Sequence, residues 1–380
     1  MTYVVLARKW RPQTFSDLVG QEHVSRTLAN AIASDRVAHA FLFPGVRGVG
    51  KTTSARILAK ALNCEKGPTA EPCLQCHACR EIGEGSDVDV QEIDGASYTG
   101  VDAVRSLQES IPYRPQRDRF KIYIVDEVHM LSAAAWNAFL KTLEEPPPHV
   151  KFIFATTEVN KVPITILSRC QRYDFKLIAT SEIAARLRKV LDTEGLKADD
   201  DATRILARQA AGSMRDAMSL LDQVIAWVGG QEEALTAEGV ARVLGVASRS
   251  VLHDLSAALV DHDASRCLDI VAALAEQGFQ LSVVARDFLE QLRDLVVAKV
   301  SKEPNRVLDL ADDEMRDVLA LAGRSDGDDL SRGSFGRVFS RAAGVRLARQ
   351  QSRAAERDRA CLRAVLRAGH PACRPASGRH

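Results

Sequence analysis

Eight residues constrain this chain more than any other feature. The run Gly45-Val-Arg-Gly-Val-Gly50-Lys51-Thr52 fits G-x-x-x-x-G-K-[ST], follows an apolar stretch from His39 to Phe43 and precedes a segment of helical periodicity. Such a loop needs a buried strand before it and a helix after it. Its glycines let successive backbone N–H groups face one anion, while a lysine and a hydroxyl add a charge and a magnesium ligand. Gly45, Gly48, Val49, Gly50, Lys51, Thr52 and Thr53 are therefore the expected phosphate cradle, with Lys51 on the β/γ phosphates and Thr52 on Mg²⁺. Ala55, Leu58, Ala59 and Leu62 recur at i, i+3, i+4 and i+7, giving the helix that follows its buried face.

From His39 to Phe175 short apolar runs alternate with helical patterns, as in an α/β domain on a parallel sheet. The expected strands are 39–43, 88–93, 121–125, 151–155 and 172–175. Ile122–Val125 and Phe152–Ala155 are apolar on both faces, as central parallel strands must be when helices cover both sides. Asp126-Glu127 follows the first of these runs, so both acids stand at the carboxyl end of a buried strand beside the cradle. Asp126 suits a magnesium ligand through water, and Glu127 suits activation of an attacking water. The pair Thr156-Thr157 ends the next strand, where a hydroxyl faces either a γ-phosphate or the lytic water, or merely caps the strand.

Two arginines extend this chemistry. Arg169, in Ser168-Arg169-Cys170, is either a finger aimed at a neighbouring chain's nucleotide or a surface residue in a salt bridge. Arg215, in Gly212-Ser-Met-Arg-Asp-Ala217, lies on a later helix from which it could reach the γ-phosphate; its structural alternative is a pair with Asp216 or another nearby acid.

Cys64, Cys73, Cys76 and Cys79 fall within sixteen residues, which is enough to close a tetrahedral Zn²⁺ site. His77 lies between two of them and would strain either short loop as a ligand. Free thiols and an iron–sulfur cluster are the alternatives. With no opening or base in view, the expected zinc is structural.

After Lys176 the strands give way to helices, a first group over 178–228 ending at Gly229-Gly230 and a second over 236–323. The balance of 51 basic and 50 acidic residues conceals a tail, 331–380, with twelve arginines, no lysine and two acids. The body is mildly acidic, unlike a sequence-specific DNA reader. The N-terminus carries Arg8, Lys9, Arg11 and Pro12 where a signal peptide needs an apolar run, and no stretch approaches 18 apolar residues, so a cytoplasmic location and no membrane partner are expected.

In this order the residues resemble the clamp-loader ATPases of bacterial DNA polymerase III, within the AAA+ family. The resemblance rests on Val5-Leu-Ala-Arg-Lys-Trp-Arg-Pro-Gln-Thr-Phe15, Val19-Gly-Gln-Glu22, the four cysteines, Asp126-Glu-Val-His-Met-Leu131, Leu140-Lys-Thr-Leu-Glu-Glu-Pro-Pro147, Ile164-Thr-Ile-Leu-Ser-Arg-Cys170 and Gly212-Ser-Met-Arg-Asp-Ala217. It implies an α/β P-loop (AAA+) domain over 1–177 with a zinc-binding insertion at 64–79. A small helical lid at 178–230 and an all-α collar at 236–330 follow, the collar joining five subunits in an open ring. It also implies ATP between subunits, Thr157 as first sensor, Arg169 as the finger in trans, Arg215 as second sensor, and Arg11, Pro12 and Val19 along the adenine pocket. The implied partners are other copies of the chain, delta and delta-prime subunits, a sliding clamp and primer–template DNA.

A non-hydrolysing architectural subunit and a branch-migration helicase are the competing readings; the intact Lys51, Thr52, Asp126 and Glu127 disfavour the first, and the cysteine insertion the second. Over 331–380 the collar pattern is lost, so that stretch is expected to be either frame-shifted or a natural, disordered basic tail. The family's polymerase- and helicase-binding domains are not expected in this short form.

Overall fold

The computed structural model describes residues 4–97, 109–228, 235–304, 307–308, 310 and 312–324. By contact the chain divides into two compact units, one ending at Ser248 and one beginning at Arg249.

The first unit is built on five parallel strands, β1 (Ala40–Pro44), β2 (Val90–Asp94), β3 (Lys121–Asp126), β4 (Val150–Thr156) and β5 (Gln171–Arg172), in the order β2-β3-β4-β1-β5. The two-residue side-chain period splits each central strand between two cores. Phe41, Phe43, Ile122, Ile124, Ile153 and Ala155 face helices α2 (Glu22–Ala33) and α3 (Lys51–Asn63). Leu42, Tyr123, Val125, Phe152 and Phe154 face α5 (Ala133–Glu144) through Trp136, Phe139 and Leu143. Burial on both faces accounts for the apolar runs. Ser132 caps α5 by accepting from the Ala135 N–H at 3.2 Å, and the helix stops just before Pro146.

The last strand is shorter than the expected 172–175. Only Gln171–Arg172 form a ladder, although the Tyr173 and Phe175 N–H groups still donate to Leu42 O at 2.9 Å and Pro44 O at 2.8 Å. At the edge of the sheet only one side of the backbone is paired, while Tyr173 and Phe175 turn inward to the core.

A third core belongs to α7 (Thr180–Glu194), α8 (Asp200–Gln209) and α9 (Met214–Val228), with Ile183, Leu187, Val190, Leu206, Leu221 and Val224 at its centre. Two segments join it that sequence reasoning assigned elsewhere. The N-terminal helix α1 (Leu6–Lys9) buries Leu6 here instead of in the α/β body, and Trp10 Nε1 donates to Glu194 Oε1 at 2.8 Å. The helix α10 (Ala237–Leu244), expected to open the collar, packs Val240 on this core, so the first compact unit runs on to Ser248. The Gly229-Gly230 linker lies outside the described residues, as does the tail from 325. Two short helices complete the unit, α4 (His77–Glu84) after the cysteines and α6 (Ile164–Leu167) before Arg169.

The second unit contains α11 (Arg249–Val260), α12 (Ala264–Glu276), α13 (Leu281–Val300) and α14 (Asp312–Arg324), with Ala257, Leu295, Ala298, Met315, Val318 and Leu321 at its core. No single helix among the described residues is long and apolar enough to cross a membrane.

Phe152 stacks on Tyr123 and Phe154 and meets Phe139 edge-on, all fully buried. Phe152→Ala is expected to cost about 3–5 kcal/mol. Urea titration followed by Trp136 fluorescence, which reports this core through the Trp136–Phe154 contact, should show the loss.

Candidate functional site

The chain leaves β1 at Pro44 and turns through three positive-φ glycines, Gly45 at +156°, Gly48 at +80° and Gly50 at +102°, before Lys51 begins α3. The turn has no room for side chains at two of them. A Cβ on Gly45 would stand 2.7 Å from Phe175, and one on Gly48 1.9 Å from Ser213 Oγ. Within the curl the Lys51 ammonium donates to Gly45 O at 2.8 Å and Val46 O at 2.9 Å. Burial pushes this ammonium below its ordinary range, against the pull of Glu127 and Asp126. The loop thus holds a desolvated cation on its own carbonyls.

The acids arrive from β3. Thr52 Oγ1 donates to Asp126 Oδ2 at 2.5 Å, which joins the two candidate magnesium ligands directly. Glu127 stands in the left-handed region at φ 45° and ψ 45°, an unfavourable backbone for a residue with a side chain. Neighbours hold it there. Its N–H donates to Asp126 Oδ1 at 2.9 Å, and Thr157 Oγ1 donates to its Oε2 at 3.1 Å. Gly95, at the end of β2, donates to Asp126 O at 2.8 Å, and a Cβ there would lie 2.6 Å from Glu127 O.

A cavity of about 780 Å³ opens over this loop. Gly48, Val49, Gly50, Lys51, Thr52, Thr53, Asp126, Glu127, Arg215, Arg11, Pro12 and Val19 all line it. Gly45 lies beneath the loop, supplying the carbonyl for Lys51, and Thr157 acts one step back, through Glu127. Arg215 comes from α9, and its backbone N–H donates to Gly48 O at 3.2 Å. Arg169 is not part of this chain's cavity. Its guanidinium donates to Thr165 O at 2.6 Å and to Glu144 Oε1 at 2.7 Å, the salt-bridged alternative.

Several site residues escaped the sequence reading. Ile178, Met214 and Met218 close the cavity from the lid side, and the only sequence signal is the i, i+4 spacing of the methionines around Arg215. Arg56 lines it from α3 and pairs with both oxygens of Glu92. His129 is buried beside the acids, 3.1 Å from Thr156 Oγ1 and 3.4 Å from both Glu127 and Glu158.

The four cysteine sulfurs lie within 4.8 Å of one another, and Cys73 Sγ is 4.0 Å from Cys79 Sγ. Tetrahedral ligation at about 2.3 Å requires S···S separations of about 3.8 Å, so the donor set fits a metal ion. The Cys73 N–H donates to Cys64 Sγ at 3.4 Å and the Cys76 N–H to Cys73 Sγ at 3.3 Å. Backbone N–H groups of Gln75 and Cys76 pull the Cys73 thiol down to about 6, whereas burial pushes Cys79 up. His77 turns away from the sulfurs toward Glu65 at 2.9 Å and Asp118 at 3.2 Å. A second group, Asp87, Asp89 and Asp118, is held by structural bonds, with Asp89 accepting the N–H groups of Gln116, Arg117 and Asp118 at 2.8 to 3.0 Å.

Family models divide the chain into three. Residues 20–179 match the model described as DNA polymerase III, delta subunit; 182–230 match the DNA polymerase III clamp loader subunit, ATPase lid domain; 235–356 match DNA polymerase III subunits gamma and tau domain III. The last match runs into the Arg-rich tail.

The chain is 45% identical to DNA polymerase III subunit tau of Bacillus subtilis over 81% of this chain and 54% of that protein. It is 46% identical to subunit tau of Escherichia coli K12 over 79% and 46%, respectively. With subunit gamma of Buchnera aphidicola from Acyrthosiphon pisum it shares 42% identity over 78% of this chain and 80% of that one. The chain thus spans about half the length of the tau proteins. A Thermotoga maritima RuvB structure aligns over 74% of this chain and 91% of that one with a TM-score of 0.49 and 16% identity, too loose a likeness to bear on function.

The contact of Gly48 with Ser213 yields a direct test of the cavity. Gly48→Ala would force a Cβ into Ser213 Oγ at a left-handed backbone position. Strain of about 1–3 kcal/mol is expected to appear as lost nucleotide affinity. Titration with a fluorescent ATP analogue measures it, and unchanged affinity would mean that the loop and the lid need not meet.

Proposed function

Because the chain belongs to the gamma/tau subunit family of DNA polymerase III, we propose that it is an ATP-hydrolysing motor subunit of the bacterial clamp loader. The observation that carries this reading is the bond from the Arg215 N–H to Gly48 O, which attaches the lid to the phosphate loop itself. A phosphate group entering the loop must compete for the contacts that now hold Lys51 and Arg215, so occupancy of the cradle biases the lid.

The residues divide the work. Lys51 exchanges the Gly45 and Val46 carbonyls for phosphate oxygens, a trade favoured by its burial. Thr52 and Asp126 would hold Mg²⁺, which when bound neutralises phosphate charge. Glu127, oriented by Thr157, accepts a proton from the attacking water at its carboxylate. Arg215 from the lid and Arg169 from the neighbouring subunit bear on the charge that develops at the γ-phosphate. Arg169 would exchange its Glu144 partner for that phosphate, a substitution that its fixed guanidinium charge allows. Arg11, Pro12 and Val19 line the adenine end.

The domains follow the same reading, an ATPase body over 1–177, a lid at 178–230 and a collar at 236–330 that joins copies of the chain with delta and delta-prime subunits. ATP-bound subunits open the sliding clamp on primer–template DNA, and hydrolysis releases it closed, in the cytoplasm and in service of DNA replication. The four cysteines hold a structural Zn²⁺.

The test is ATP turnover of the chain with delta and delta-prime, with and without clamp and primed DNA. Strong stimulation by clamp plus DNA is expected. Lys51→Ala should lose nucleotide binding, whereas Arg169→Ala should keep binding and lose on the order of 10³-fold in turnover of the assembled ring. Equal loss of nucleotide affinity in both variants would refute a role for Arg169 in trans.

A further inference from the structure

Lys60 is an anomaly that the nucleotide chemistry does not use. It sits on α3 only 2% exposed, and among the described residues its ammonium donates to one neutral acceptor, Gln13 Oε1. A buried cation with so little compensation is costly unless an anion stands near. Burial pushes the Lys60 ammonium below its ordinary range; the charge that opposes the shift is Cys79, while Arg56 and Arg11 add to it. The helix bearing Cys79 runs directly past, so that a Cβ on Gly83 would lie 3.4 Å from Lys60 Nζ. The Lys60 carbonyl also accepts the N–H of Cys64 at 2.8 Å. Four thiolates around a divalent ion would leave two net negative charges on the module whose helix passes the ammonium.

On its other side Lys60 connects to the nucleotide cavity through Gln13. Gln13, whose Oε1 accepts the hydrogen bond from Lys60, donates from Nε2 to Arg11 O at 2.9 Å, and Arg11 and Pro12 line the cavity. A parallel path joins the same two places. Arg56, in the cavity wall, donates to Gly83 O at 3.2 Å, and Glu84 of the cysteine-bearing helix lines the cavity too.

We propose that Lys60 is a positioning residue that couples the cysteine module to the Arg11–Gln13 strap, so that metal in the module and nucleotide in the cavity strengthen each other's binding. The inference rests on the nucleotide reading of the cavity. Metal-bound thiolates hold the ammonium in place, the ammonium holds Gln13, and Gln13 fixes the backbone that presents Arg11. Thermodynamic linkage makes the effect reciprocal: whatever factor metal adds to nucleotide affinity, nucleotide adds to metal affinity.

The experiment uses the full chain reconstituted with Zn²⁺, a fluorescent ATP analogue with Mg²⁺, and a chromophoric chelator that reports zinc loss. In the wild-type protein saturating nucleotide should slow zinc loss, and stripped protein should bind nucleotide about 5-fold or more weakly. Lys60→Met should still take up one zinc per chain, bind nucleotide more weakly and release zinc at a rate that nucleotide changes less than in the wild type, the remainder being carried by the Arg56–Gly83 contact. Gln13→Leu cuts the same link from the strap without touching the module and should weaken the coupling likewise, whether or not the Lys60 variant folds. Nucleotide-sensitive zinc release that is undiminished by Gln13→Leu, or its absence from wild-type protein that binds both ligands, overturns the proposal, as does a chain that takes up no zinc. Wild-type protein that takes up zinc but binds no nucleotide, matching Lys51→Ala, would instead overturn the reading of the cavity.

Discussion

The Lys51 ammonium, buried and held by the carbonyls of Gly45 and Val46, is the interaction on which the rest of this site depends. A desolvated cation needs acceptors, and here a loop with three positive-φ glycines turns two carbonyls toward it. That loop needs a strand to deliver it and a helix to continue it, so one electrostatic requirement fixes the unit β1–loop–α3. The cradle's donors are thereby oriented by backbone geometry before an anion arrives.

Parallel strand order then decides what meets the loop. Because β4 lies beside β1 and β3 beside β4, all running in the same direction, the carboxyl end of each opens on the same side of the sheet. Asp126, Glu127 and Thr157 converge there although the chain separates them from the loop by some 75 to 105 residues. Glu127 retains its left-handed backbone through the bond it donates to Asp126, the bond it accepts from Thr157 and the close approach of Gly95. Strain of this kind persists where surrounding contacts over-determine the geometry.

The lid adds a second layer of control. Its core takes in Leu6 from the far N-terminus, and the Arg215 N–H reaches Gly48 in the loop. The strap between them, from Arg11 to Val19, lines the cavity while Gln21 Nε2 donates to Lys176 O at 2.8 Å, near the chain's exit to the lid. Lid and strap are consequently attached to each other as well as to the cavity.

Much of this was legible in the residues themselves. The phosphate loop, the acidic pair, the central strands and the four-cysteine spacing all follow from local rules: glycine where φ must be positive, apolar runs where both faces are covered, thiols at ligand spacing. The short edge strand, the placement of α1 and α10 on the lid core, the Arg169–Glu144 pair and the roles of His129, Arg56 and Lys60 were not legible, because each depends on a partner distant in sequence. Periodicity can mark one face of a helix as buried, but not against what. The sequence by itself therefore determined the chemistry available at the loop and the acids, since those groups are set by residue type and short spacing. Only the tertiary structure decided which segments enclose them, because hydrophobic burial is non-directional and takes whichever complementary surface the packed chain brings near.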